Sequence, residues 1–220
     1  MTRLMTGPDP NNPQPLPDHP RVCFLKPVVK NPLIEVGDYT YYDDPVSPET
    51  FEDKCVHYHY DFIGDKLVIG KFCAIAAGVS FIMNGANHPM AGFSTFPFEI
   101  FDHGWEDFAK DADPKEGFRG DTVIGHDVWI GRDASFMPGV EVGHGAIIAA
   151  KSVVASDVPP FGVVAGNPAR LIRMRFDDHI IDDLLDIAWW DWPLETISAH
   201  LKEIRGADMA ALKKAAPKRG

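Results

Sequence analysis

Residues 121–158 read DTVIGHDVWIGRDASFMPGVEVGHGAIIAAKSVVASDV, and this stretch decides the fold. A large apolar residue recurs at every sixth position, and a smaller residue stands two places before each one. The large residues are Ile124, Ile130, Phe136, Val142, Ile148 and Val154, and the smaller ones are Thr122, Val128, Ala134, Val140, Ala146 and Ser152. A period of six fits neither an amphipathic helix nor a simple strand, whose periods are about 3.6 and 2 residues.

The period predicts a coil of short, flat strands in which each hexapeptide forms one side of a triangular turn. Residues eighteen positions apart should then stack, with Ile124 under Val142, Ile130 under Ile148 and Phe136 under Val154. Gly125 and Gly143 should stack at a corner, where a side chain would crowd the bend or φ is positive. A chance alternation within an ordinary β-sandwich is the competing interpretation.

The same phase appears earlier, at Ile63, Ile69, Ile75 and Phe81, and it predicts that Cys73 is a small buried apolar residue. The repeat stops at His88 and resumes near Asp121, 33 positions later. A long excursion from a strict repeat projects from one face and is often functional. This one carries many aromatic residues: Phe93, Phe96, Phe98, Phe101, Trp105, Phe108 and Phe118.

Three regions follow from these patterns. Residues 1–20 are rich in Pro, Asn and Asp and are predicted to be a poorly ordered arm. Residues 21–176 should form the β-helix, with a loop insertion at about 88–120, and residues 177–220 a helical cap and tail. From residue 177 the apolar spacing becomes helical, and a second helix should start after Pro193 and continue past Leu201. We expect these helices to cover an open edge of the coil and the basic end, 212–220, to fray.

An aromatic cluster precedes the repeat and has two interpretations, a cap over the open end of the coil or the wall of an apolar pocket. Its members are Tyr39, Tyr41, Tyr42, Phe51, Tyr58 and Tyr60.

Composition excludes several classes of function. The formal net charge of −11 disfavours a nucleic-acid partner and a general attraction to anionic membranes. No apolar run approaches the ~20 residues that span a bilayer, and the first 20 residues lack the apolar core of a secretory signal. The three cysteines form no metal-binding pair, so we expect reduced thiols and a cytoplasmic location.

His88 is the main candidate for chemistry. It ends the segment NGANH at 84–88, where the rigid coil meets the aromatic excursion. A histidine there can act as a general base, because its pKa lies near neutrality, or it can be a structural residue that caps the loop. The motifs GxSxG, GxxxxGK[ST] and HExxH are absent from the sequence.

Two further groups stand out. His126 and His144 are eighteen positions apart and should stack on an outer edge, either as surface or interface residues or as part of a metal site. Around the later coils, Lys151, Arg170, Arg173 and Arg175 form one predicted basic patch, which is either solvated or binds phosphate groups. The neighbouring Asn167-Pro168 predicts a rigid loop that presents an amide.

Several separated motifs, in order, give the chain a family resemblance. They are IGKFCAIAAGVSFIMNGANH, STFPFEIF, the long repeat through AGNPARLIRMRF, and LLDIAWWDWP. The chain resembles the hexapeptide-repeat xenobiotic O-acetyltransferases, the streptogramin and type-B chloramphenicol enzymes, from about Tyr39 to Ile204. The resemblance implies a left-handed parallel β-helix, a homotrimer, and acetyl-CoA bound in clefts between subunits, with no metal.

The resemblance also implies roles for individual residues. His88 would be the general base of a direct acetyl transfer to a hydroxyl. Acetyl-CoA would lie near Trp129, Ala149, Ala150, Lys151, Gly166, Asn167 and Pro168, with Arg170 added from the basic patch. The acceptor would lie between the excursion of one subunit and the aromatic cluster of the next, with Tyr41, Tyr60, Asn84, Pro97 and Phe101 as candidate contacts. Residues 102–120, which should help to define the acceptor pocket, match the family only loosely.

Three other hypotheses remain. The same chemistry could act on a sugar or another metabolite. The fold could carry a metal-dependent lyase of the γ-class carbonic anhydrase type, for which only the His126/His144 stack argues. The chain could also be a trimeric scaffold without catalysis.

Overall fold

The computed structural model describes residues 7–109 and 116–217. Residues 1–6 of the predicted arm, 110–115 of the predicted insertion and 218–220 of the tail lie outside the described part. The strands are β1 Val22–Phe24, β2 Ile34–Val36, β3 Tyr41–Asp43, β4 Val56–His57, β5 Leu67–Ile69, β6 Ala74–Ala76, β7 Ser80–Ile82, β8 Thr122–Ile124, β9 Trp129–Ile130, β10 Ser135–Phe136, β11 Glu141–Val142, β12 Ile147–Ile148, β13 Val153–Val154, β14 Gly162–Gly166 and β15 Ala169–Met174. The α-helices are α1 Phe51–Cys55, α2 Asp178–Ile187, α3 Leu194–Ala199, α4 Leu201–Arg205 and α5 Met209–Ala215.

The strands form three sheets that the chain visits in turn. Sheet A has the order β1-β3-β6-β9-β12-β14-β15, sheet B the order β11-β8-β5-β2, and sheet C the order β13-β10-β7-β4. Each circuit adds one strand to every sheet, and the strands of successive circuits pair in parallel. The fold is therefore the predicted parallel β-helix, and its arrangement is consistent with the left-handed winding of the family.

The predicted stacking is confirmed residue by residue. Ile124 pairs with Val142, Ile130 with Ile148, and Phe136 with Val154. All twelve residues of the two predicted series in 121–158 are buried, as is Cys73. Because fully burying a large apolar side chain stabilises by about 1.5–3 kcal/mol, this column of side chains holds the circuits together.

The corners of the triangle have their own regularity. Between sheets B and A, at what we call the A–B corner, Phe72, Asp127, Gly145 and Phe161 occupy one position in successive circuits and all have φ between 56° and 67°. At Gly143, a neighbour of this position, a Cβ would lie 2.3 Å from the backbone nitrogen of Pro160. Gly125 and Gly143 are therefore required because of crowding, as predicted, and a positive φ is not the reason.

The excursion leaves the B–C corner, between sheets C and B, after β7 and returns at β8. Its described rings pack on one another, with the Phe96 and Phe101 centroids 5.2 Å apart and Trp105 edge-on to both. Phe93 is fully exposed. The side chain of Phe108 lies outside the described part of the chain.

The C-terminal helices line the A–B corner along the coil axis, whereas we predicted that they cover an open edge. Trp189 packs on Phe72, Trp190 stacks over His126 and His144, and Phe176 packs edge-on to Phe161. The reason is that this corner presents aromatic and imidazole rings from successive circuits.

The helix predicted from Pro193 onwards ends at Ala199, because His200 has φ −121° and the chain restarts there as α4. Residues 212–215, expected to fray, belong to α5, where Leu212 is buried against Trp192 and Ile197.

The early aromatic cluster divides between its two interpretations. Tyr42 and Phe51 are buried in the first circuit, and Phe51 packs on Phe81 of the coil. Tyr58 and Tyr60 are exposed. Among the described residues, no helix is both long enough and apolar enough to span a membrane.

Candidate active site

His88 stands at the start of the excursion with its imidazole oriented by a backbone group. Its Nδ1 lies 2.7 Å from the carbonyl oxygen of Thr95. A carbonyl oxygen only accepts hydrogen bonds, so Nδ1 carries the hydrogen and Nε2 carries the lone pair. The residue is exposed. An imidazole held in this way can accept a proton from a bound hydroxyl at Nε2.

The base of the excursion is held by Asn84, which is 5% exposed. Its Nδ2 donates to the Asp65 carboxylate and to the Gly120 carbonyl, both at 2.8 Å. Its Oδ1 accepts from the Arg119 backbone at 2.8 Å and from the Asn87 side chain at 3.3 Å. The amide of Asn84, predicted to contact the acceptor, therefore already uses both of its hydrogens and both of its acceptor positions within the chain.

The other predicted acceptor residues lie in three places. The Tyr60 ring packs over Gly85, close to His88 in sequence, and stacks on Phe62 at 5.3 Å. Pro97 and Phe101 belong to the aromatic part of the excursion. Tyr41 lies on β3 in sheet A, paired with Ala74. Only Tyr60 and the excursion residues share a side of the molecule with His88.

The predicted coenzyme residues share one region of the chain. Trp129, 58% exposed, is on sheet A between Ala74 and Ile147. Ala149, Ala150 and Lys151 follow β12 at the A–C corner, between sheets A and C. Gly166 ends β14 at that same corner, and Asn167 and Pro168, joined by a cis peptide bond, follow it. Arg170 is next to them, because it pairs with Ala165 in the β14–β15 hairpin.

These two groups of residues do not meet within one chain. His88 lies at the B–C corner and the coenzyme group at the A–C corner, with the strands of sheet C between them.

The predicted basic patch is likewise divided. Because β15 runs antiparallel to β14, Arg175 lies at the far end of the hairpin from Arg170. There its guanidinium donates to the Gly145 carbonyl and lies over the rings of Phe161 and Phe176. Arg173 pairs with Val163 between them. Only Lys151 and Arg170 lie at the A–C corner, so a single patch of four cations is not formed.

His126 and His144 stack with centroids 4.9 Å apart, as predicted. The Nδ1 of His126 accepts the Lys71 N–H, and the Nδ1 of His144 accepts the His126 N–H. Burial lowers the pKa of both rings, and the neighbouring His144 lowers that of His126 further. The described residues contain no group of three His, Cys, Asp or Glu side chains placed to hold a metal ion. The stacked rings pack between the coil and Trp190.

Cys73 is fully buried, and burial raises its thiol pKa to about 12, so it is no nucleophile.

Sequence reasoning missed two residues of the site region, Thr95 and Asp65. No signal marks Thr95, since its contribution is a backbone carbonyl. Asp65 had a faint signal. Leu67 pairs with Thr122, so Lys66 aligns with Asp121 of the next circuit. Asp65 is therefore an acidic residue one position before the residue that aligns with Asp121.

Comparisons with known proteins bear on this architecture. The sequence profile of the bacterial transferase hexapeptide family (six repeats) matches residues 121–156. A probable macrolide acetyltransferase of Lysinibacillus sphaericus is 54% identical over 73% of this chain and 88% of its own length. A virginiamycin A acetyltransferase of Staphylococcus aureus is 48% identical over 94% of this chain and 93% of its own length.

A chloramphenicol acetyltransferase of Escherichia coli is 45% identical over 86% of this chain and 90% of its own length. The chain belongs to the hexapeptide-repeat acetyltransferases. This acetyltransferase resembles relatives named for three chemically different antibiotics at similar identity, so overall identity does not select its acceptor.

Proposed function

We propose that this acetyltransferase transfers an acetyl group from acetyl-CoA to a hydroxyl of a small-molecule antibiotic of the streptogramin A or chloramphenicol type. The observation that carries the proposal is the imidazole of His88, whose Nδ1 is bonded to the Thr95 carbonyl while Nε2 remains available. This is the arrangement that a general base requires.

In the proposed reaction, Nε2 of His88 takes the proton of the acceptor hydroxyl while the hydroxyl oxygen attacks the thioester carbonyl carbon of acetyl-CoA. The C–S bond then breaks, and the imidazolium returns the proton to the leaving thiolate. Transfer is direct, so no acyl-enzyme forms, and the chain contributes mainly orientation and proton transfer. The Thr95 carbonyl keeps a hydrogen on Nδ1 throughout, so the transferred proton enters and leaves the ring at Nε2 only.

The separation of the two residue groups supports a site shared between subunits. One copy would supply His88 and the excursion, and its neighbour would supply Trp129 and the A–C corner. Trp129 is exposed on sheet A, so its ring is accessible to the coenzyme or to a neighbouring copy. A homotrimer with three such clefts is the proposed assembly. The cytoplasmic location stays a prediction.

An apolar acceptor is favoured by the rings of the excursion. Phe96, Phe98, Phe101 and Trp105 pack together and remain 38–51% exposed. A bare sugar would leave most of this apolar surface in contact with water. The names of the three relatives agree with an antibiotic acceptor, since each is named for such a molecule.

The test is a thiol-release assay with acetyl-CoA against a group A streptogramin, chloramphenicol, a macrolide and simple sugars. We expect His88→Ala to lower kcat at least ~10²-fold, because removing a general base costs about 10²–10⁴ in rate. His179→Ala, which removes an exposed histidine of α2, is the matched control and should retain parent activity. A loss below tenfold for His88→Ala would contradict its role, and turnover of sugars alone would contradict the acceptor class.

A further inference from the structure

We propose that Asp65 is a positioning residue for His88, acting through the side chains of Asn84 and Asn87. The proposal rests on the function proposed above for His88. It assigns a reason to a buried carboxylate that the proposed reaction does not otherwise use.

The carboxylate of Asp65 lies at the B–C corner, under the start of the excursion. The residue is 0% exposed. Its Oδ2 accepts both the backbone N–H and the side-chain Nδ2–H of Asn84, each at 2.8 Å. Two hydrogen bonds from one residue to the same carboxylate oxygen fix both the backbone and the side chain of Asn84.

Asn84 carries this restraint to the other end of the excursion. Its Nδ2 donates to the Gly120 carbonyl and its Oδ1 accepts the Arg119 N–H, each at 2.8 Å. The side-chain amide of Asn84 therefore holds the start and the end of the excursion together. The end of the excursion is held a second time, because the Lys66 N–H donates to the Asp121 carboxylate at 2.8 Å.

Asn87 brings the restraint to the residue beside His88. Its Nδ2 donates to Asn84 Oδ1 at 3.3 Å and to the Gly117 carbonyl at 3.1 Å. Its backbone N–H donates to the Asn84 carbonyl at 3.0 Å. A continuous series of hydrogen bonds thus runs from the buried carboxylate of Asp65 to the residue that precedes His88.

Replacing Asp65 by alanine would leave two donors of Asn84 buried without their acceptor, which favours rearrangement of the loop base. The His88 imidazole would then lose its fixed approach to the Thr95 carbonyl. A misplacement of about 1 Å in a reacting group lowers rate by about 10²-fold. The coenzyme group at the A–C corner makes none of these contacts, so its contribution to binding should persist.

The experiment compares full-length Asp65→Ala and Asp65→Asn with the parent. We expect Asp65→Ala to lower kcat 10- to 100-fold with KM for acetyl-CoA unchanged, and Asp65→Asn, which keeps an acceptor oxygen, to recover most of the loss. A second readout is the ¹⁵N NMR spectrum of His88, assigned with His88→Ala. The parent should show a single Nδ1–H tautomer, and Asp65→Ala a mixture of tautomers.

Asp157→Ala is the control for loss of a carboxylate that accepts a backbone N–H, although Asp157 is exposed and Asp65 is buried. The Asp157 carboxylate also accepts a backbone N–H at the B–C corner, that of Glu141 at 2.9 Å, but in a circuit without an excursion. We expect its kcat and the His88 tautomer to match the parent. If Asp157→Ala changed kcat and the His88 tautomer as much as Asp65→Ala does, the effect would come from general coil stability. The proposed series of hydrogen bonds from Asp65 to Asn87 would then be wrong.

Two outcomes overturn the proposal. One is a folded Asp65→Ala protein with parent kcat and a single His88 tautomer. If Asp65→Ala does not fold, Asn87→Ala cuts the series of hydrogen bonds nearer the surface, and parent values in that variant would equally refute it. Failure of the proposed function is distinguishable, because absence of acetyl transfer by the parent, or full activity of His88→Ala, leaves the tautomer readout intact.

Discussion

The coil and the excursion are stabilised in opposite ways. In the coil at residues 121–158, each circuit repeats the same contacts, and its inward side chains are buried against the circuits on either side. In the excursion, the described rings pack on one another, and Asn84 at its base makes two of the hydrogen bonds that hold its end to the coil. The coil is a rigid support, and the excursion carries His88 and several exposed aromatic rings.

The largest expected contrast is in side-chain truncation. Phe136→Ala removes a fully buried ring that stacks on Phe81 at 4.8 Å, and we expect it to lower the free energy of unfolding by about 3–5 kcal/mol. Phe93→Ala removes an exposed ring of the excursion and should change it by less than about 0.5 kcal/mol. Urea unfolding followed by circular dichroism measures both. Similar losses in the two variants would break the comparison.

The second contrast concerns glycine. A Cβ at Gly143 would meet the backbone of Pro160 at 2.3 Å, so Gly143→Ala should destabilise by about 1–3 kcal/mol through overpacking. Gly92 in the excursion is the control, since its Cβ would lie 3.6 Å from the nearest atom. Gly92→Ala should stay within about 0.5 kcal/mol of the parent. Thermal melts of both variants decide this, and an unaffected Gly143→Ala would mean that the corner can widen.

The smallest effect is a pH dependence confined to the coil–helix contact. Burial lowers the folded-state pKa of His126 and His144 from 6.5, so the unfolded chain binds more protons in this window. Their contribution to stability is present above pH 6.5 and is lost as pH falls towards the folded pKa values. Lys71, Asp127 and Asp191 are the charged neighbours of the pair.

The measurement must stay above about pH 6. Burial raises the pKa of Asp127 to about 6, so its protonation, which begins near pH 7 and is half complete at about pH 6, favours the folded state and opposes the histidine effect most strongly below that value. We expect the decrease in stability on acidification to disappear in a His126→Gln/His144→Gln variant. An unchanged slope in that variant would assign the pH dependence to other groups.

Several structural features could be predicted because the repeat is strict. The inward series, the eighteen-residue stacking and the His126/His144 pair all follow from counting along the chain. The limits of prediction are equally specific. Asp65 lies one position before the residue that aligns with Asp121. Arg170 and Arg175 lie far apart because β15 runs antiparallel to β14. The path of the C-terminal helices depends on which corner presents rings, and no local pattern reports that.

By itself, the sequence determined the triangular coil, the position of the excursion and the place of His88 at the start of that excursion. It did so because a six-residue period buries its large side chains when three hexapeptides form one circuit and residues eighteen positions apart stack. Only the tertiary structure decided how the His88 imidazole is oriented, that one asparagine closes both ends of the excursion, and that the two halves of the site lie at different corners. Those features depend on contacts between residues far apart in the chain, whose distances no periodic spacing records.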